Sequence, residues 1–168
     1  MYDVLHKNDD ILRHTREIAA TQTSMPKFVY IHLMMPHFPY YFDSVGNSRP
    51  LDSLVKAHPS DKAGYTGYLQ YCNKRLLQLV DDLKAASSEP PFIMLLGDHG
   101  FRHLNKNVER RYHFMNLNAV YLPDKNYRKF YDSMSNVNLL RVVFNTQFHQ
   151  DFPLLKDSTI FKQFSLEQ

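Results

Sequence analysis

Asp98 and His99 stand side by side at the end of the most apolar run in the chain, "PFIMLLGDHGFRH", residues 91–103. A carboxylate and a neutral imidazole together suit a divalent cation such as Zn²⁺ or Mn²⁺. In a regular strand neighbouring side chains point to opposite faces. Gly97 and Gly100 flank the pair and give the backbone freedom to break that alternation. Two ligands do not hold a catalytic ion; at least one more is needed, with a position left open for substrate. The plainer alternative is a strand-end turn whose Asp caps the next segment. A second candidate is His37, held between Pro36 and Pro39 in "MMPHFPYYF", residues 34–42. Such a loop fixes a side chain at low entropic cost. An imidazole there could hydrogen-bond a phosphate or sulfate oxygen, or protonate a leaving group. It could equally pack on Tyr40 or Tyr41. His32 lies within an apolar run and reads as a hydrogen-bonded structural histidine if it faces the core. His103 and His113 flank the charged stretch "LNKNVERRY" and could close over a site nearby.

These residues need elements to position them. "FVYIHL", residues 28–33, is rich in β-branched and aromatic side chains and reads as a buried strand. "FIMLL", residues 92–96, is short, continuous and apolar, as in a strand buried on both faces. Between them, Leu69, Cys72, Leu76, Leu79, Val80 and Leu83 recur at helical spacing, which predicts a helix over about 65–86. Strand, long helix, strand is a βαβ unit with parallel strands and a right-handed crossover. Ligands in open α/β sheets bind beyond the carboxyl ends of the strands. His37 follows the first strand and Asp98 and His99 the second, so all three are expected at one edge. One or two helical turns and then a helix over 3–20, a strand at 118–123 and a Ser/Asn-capped helix at 135–148 complete the pattern. The fold class is therefore α/β, a mostly parallel sheet flanked by helices.

The 168 residues suffice for one domain over 1–168, and 43% apolar content supports a packed core. A formal charge of only +3, without a dense basic run, argues against a nucleic-acid partner. The single cysteine, Cys72, excludes an internal disulfide and falls on the apolar side of the predicted helix, as a buried small hydrophobe does. The opening "MYDVLHKNDD" has no apolar signal region, and no run approaches a membrane span.

"FVYIHLMMPHFPYYFD", a long helix and "FIMLLGDHGFR", in that order, resemble the C-terminal half of the sulfatase-like catalytic domain of the alkaline phosphatase superfamily. The resemblance is to the bacterial hydrolases and transferases that include lipoteichoic acid synthases and phosphoethanolamine transferases. It covers residues 26–125 and extends loosely to 160. It implies that Asp98 and His99 ligate a catalytic divalent metal (Mn, Zn, Mg or Ca), weakly in this chain. It implies that His37 contacts the transferred phosphate or sulfate group of an ester substrate. Such domains are usually extracytoplasmic or periplasmic and membrane-associated. The family's nucleophile and an acidic metal ligand lie in the N-terminal half, for which the 27 residues before Phe28 leave no room. Phe101 and Arg102 stand where an acidic residue often follows D-H-G. The expectation is half of an active site, inactive without its partner half; the alternative is a truncated, non-catalytic binding module. Thr66, near the start of the long helix, is the one internal nucleophile candidate.

Overall fold

The computed structural model describes residues 2–103 and 109–160, with side chains from residue 7 onward. They form two compact units, one of residues 2–91 with His103, the other of residues 92–102 and 109–160.

The first unit is built on two long helices, α1 (Tyr2–Ala20) and α3 (Lys62–Ala86), with the short α2 (Leu51–Val55) between them in sequence. The turns and helix expected over 3–20 are one continuous helix. Leu12 of α1 is fully buried, and so are Tyr68, Cys72 and Leu79 of α3; Cys72 and Leu79 belong to the stripe anticipated from spacing, and Tyr68 does not. Ion pairs clasp the two helices, Arg16 Nε to Asp82 Oδ2 at 2.5 Å and Arg75 Nη2 to Asp9 Oδ1 at 2.6 Å. Asp61 starts α3, its side chain accepting from the Gly64 N–H. Lys27 ends α1 by donating to the Ile18, Ala19 and Thr21 carbonyls, an ammonium at the negative end of a helix. Tyr40, Tyr41, Leu54, Tyr68 and Cys72 form the core cluster of this unit.

In the second unit β1 (Ile93–Leu96) pairs with β2 (Asn118–Tyr121), with Met94 opposite Val120. Those two side chains pack beneath Met134 and the buried Leu139 and Val142 of α4 (Asn136–Gln147). Ser135 caps α4 by accepting from the Asn138 N–H, as the sequence suggested. After α4 the chain returns along the helix as a strap without regular structure. Asn138 bonds both the N–H and the C=O of Leu155, at 2.9 and 2.7 Å. Asn145 does the same for Phe152, at 2.7 and 2.8 Å, and Arg141 donates to the Pro153 carbonyl. Asp157 closes the strap, accepting from the Ser135 N–H, the Tyr131 hydroxyl and the Asn138 amide.

Two expectations about the sheet are corrected. The strands β1 and β2 run antiparallel, so no parallel sheet exists among the described residues. Residues 28–33 form no strand, and no backbone hydrogen bond of theirs is formed among the described residues. Phe28, Val29 and Tyr30 are 94%, 43% and 79% exposed. β-propensity reports how a residue fits a pleated, half-buried surface; it supplies no neighbouring strand. The same run places His32 on the exposed side, so it is not a core histidine. β1, expected to be buried on both faces, is half-buried and ends exposed at Leu96.

Three measurements check this description. Brief chymotrypsin treatment should cut first at Phe28 and Tyr30 and spare the buried Tyr40 and Tyr68; protection of Phe28 would mean that the segment is paired. Burial pushes the Cys72 thiol up to about 12, so a thiol reagent at pH 8 should react only on unfolding. Hydrogen bonds, first from Ser135 and then from Tyr131, lower Asp157 from 3.8 to about 2. A depressed carboxyl contributes stability above its unfolded value, lost as pH falls through the folded one. The stability difference between wild type and Asp157→Asn should therefore shrink between about pH 4 and pH 2; a constant difference would show that the charge contributes nothing.

Candidate metal and anion site

The D-H-G turn begins where β1 ends. The Gly97 N–H donates to the Leu117 carbonyl at 2.8 Å, continuing the ladder one residue past the strand. The Gly97 carbonyl accepts from Asn116 Nδ2 at 2.6 Å and from Asn136 Nδ2 at 3.3 Å. Gly100 is buried, and its N–H donates to the His113 carbonyl at 2.8 Å. That carbonyl belongs to a 3₁₀ turn, Arg110–His113, which presses on Gly100 from the other side. A Cβ at position 100 would collide with the Tyr112 carbonyl and lie 2.9 Å from that of Met115. The glycine is thus required by close approach of backbone to backbone.

On this turn Asp98 projects outward, its side chain 86% exposed, while that of His99 is 32% exposed. His99 Nδ1 lies 2.6 Å from the Gly100 carbonyl. A carbonyl only accepts, so Nδ1 carries the proton and Nε2 of the neutral ring keeps its lone pair. Asp98 Oδ2 lies 3.7 Å from that Nε2, close enough for both atoms to reach one ion. A metal-bound histidine characteristically ties its other ring nitrogen to a carbonyl or carboxylate. The donor set therefore fits a divalent cation as far as it goes. Among the described residues no group of three or more His, Cys, Asp or Glu side chains could hold an ion.

His37 lies in the first unit, exposed on a loop braced by the buried Tyr40 and Tyr41. The two X-Pro bonds of this loop, Met35–Pro36 and Phe38–Pro39, are cis. His37 does not stack on Tyr40 or Tyr41; its Nδ1 donates to the Phe38 carbonyl, which leaves Nε2 as the outward nitrogen. A neutral His37 can then only accept at Nε2, and it donates to an anion there as the imidazolium. His103 belongs with the first unit. His113 supports the D-H-G turn through its main-chain carbonyl, which accepts from Gly100. Thr66 is not poised as a nucleophile, since its hydroxyl donates to the Lys62 and Ala63 carbonyls within α3. Asn116 and Asn136 were not anticipated; an asparagine flanking a strand carries no mark of what its amide will hold.

A family model described as Sulfatase matches residues 4–162. The chain belongs to the sulfatase family. No curated protein matches it, and no solved structure does. The mixture of helices with a small sheet is compatible with an α/β sulfatase-like domain. Within this sulfatase chain no described helix is long and apolar enough to cross a membrane.

The turn separates scaffold from chemistry. Gly100→Ala should destabilise the second unit by about 1–3 kcal/mol, the usual cost of overpacking. Asp98→Asn, at an exposed side chain, should leave the thermal midpoint unchanged. Equal losses from both substitutions would show that Asp98 is structural.

Proposed function

We propose that this chain is the C-terminal part of a metal-dependent sulfatase-like hydrolase or transferase acting on phosphate or sulfate esters, of the kind that includes lipoteichoic acid synthases and phosphoethanolamine transferases. One observation carries the reading: the Gly100 carbonyl holds His99 in the tautomer that turns Nε2 toward the Asp98 carboxylate, 3.7 Å away. The family match supports it independently.

In this reading Asp98 and His99 hold a divalent cation, which when bound supplies Lewis acidity toward the oxygens of the transferred group. The remaining ligand, and the hydroxyl that attacks phosphorus or sulfur, come from the N-terminal half of the domain. His37 answers the charge on the non-bridging oxygens, or protonates the departing alkoxide, and both roles require its imidazolium.

The test has two arms. Titration with Mn²⁺ and Zn²⁺ against a chromophoric chelator should give weak binding, reduced roughly tenfold or more by Asp98→Asn and by His99→Gln. Tight stoichiometric binding would reveal ligands beyond these two. Turnover of aryl sulfate and phosphodiester substrates should be absent from this chain and appear when the N-terminal half is supplied. That turnover should fall by roughly a hundredfold or more in His37→Ala. Restored turnover indifferent to Asp98, His99 and His37 would sink the assignment.

A further inference from the structure

Away from the D-H-G turn, the first unit holds a second constellation with the chemistry of a nucleophile. Ser60 Oγ lies 2.7 Å from His58 Nδ1. The Ser60 main-chain N–H donates to the same nitrogen at 3.2 Å. An amide N–H only donates, so Nδ1 holds the lone pair and the proton of the neutral ring is on Nε2. The hydroxyl hydrogen therefore also points at Nδ1, sharing its lone pair with the longer N–H contact. A hydroxyl donating to an imidazole lone pair is the pairing of a nucleophile with its general base.

The span between the two residues is fixed. Asp61 N–H donates to the His58 carbonyl at 2.9 Å, closing a four-residue turn with Pro59 at its second position. The Pro59 carbonyl accepts at 2.6 Å from the hydroxyl of Tyr40, a ring that is 1% exposed. The turn is thus bolted to the core of the unit. Asp61 caps the 25-residue α3 and shares its charge with Arg49 at 3.3 Å. Ser60 stands just ahead of that cap, half-buried, beside an exposed His58.

We propose that Ser60 is an activated hydroxyl that accepts a phosphoryl group from an activated phosphoester, with His58 as its base, independently of Asp98 and His99. Oγ attacks phosphorus, the bond from phosphorus to the leaving group breaks, and the leaving group departs with the electron pair. The hydroxyl proton passes to His58 Nδ1. The product is a phosphoserine ester immediately before Asp61, the residue that caps α3.

The experiment uses the full chain in EDTA with diisopropyl fluorophosphate, whose leaving group is fluoride, and follows the adduct by peptide mass spectrometry. Ser60 should label at least about tenfold faster in the folded chain than in urea. Ser60→Ala should remove the adduct from that peptide, and His58→Ala should return the rate to that of the unfolded chain. Added imidazole should restore part of the lost rate in His58→Ala, which a merely structural histidine would not allow. Labelling no faster folded than unfolded, a rate indifferent to His58, or a requirement for Asp98 or added metal would each overturn the proposal. Because the assay contains no metal, its failure leaves the sulfatase-like reading standing, and its success does not depend on that reading.

Discussion

The manner in which the chain leaves β1 governs the chemistry of the second unit. A strand end presents polar backbone groups that must find partners. Here the Gly97 carbonyl is taken by two asparagine amides and the Gly97 N–H by Leu117. With those atoms satisfied, the next two residues need make no ladder bonds, and their side chains are free to turn the same way. Gly100 then re-engages the scaffold through His113. Asp98 and His99 are the only residues between two fixed points, which is what holds a carboxylate and an imidazole side by side.

The first unit meets the same constraint differently. Its polar loops are pinned by aromatic side chains with a single polar atom each. Tyr40 packs edge-on against Phe38 and Tyr65 while its hydroxyl reaches the Pro59 carbonyl. Burial raises that hydroxyl to about 12, so it remains a donor at any working pH. The His37 loop and the His58–Ser60 turn are both anchored through this one ring.

Helices were the legible part of the sequence, because their periodicity is a property of the segment itself. The stripe through Cys72 and Leu79 and the Ser135 cap form as read, whereas α4 buries Asn138, Leu139, Val142 and Val143 and leaves Leu140 and Phe144 exposed. The D-H-G turn was legible too, since glycines bracket the adjacent Asp98 and His99. What failed was pairing. "FVYIHL" has the composition of a strand, yet a strand exists only beside another, and nothing in six residues says whether a neighbour is present. The direction of the sheet failed for the same reason: β1 found its partner downstream, in β2, across the turn it supports. Asn116, Asn136 and the asparagines of α4 were illegible because their roles lie in backbone atoms that the folded chain brings to them.

The strap along α4 shows what such recognition permits. Asn138 and Asn145 each grip the peptide group of one residue, Leu155 and Phe152, and touch nothing specific to either side chain. A clamp that reads the main chain is blind to the letters it holds. The clamp itself therefore sets no requirement on the side chain at position 155, whereas Phe152 is held in addition by its ring against Phe144, and loss of either asparagine, seven positions apart in the helix, would release a peptide group.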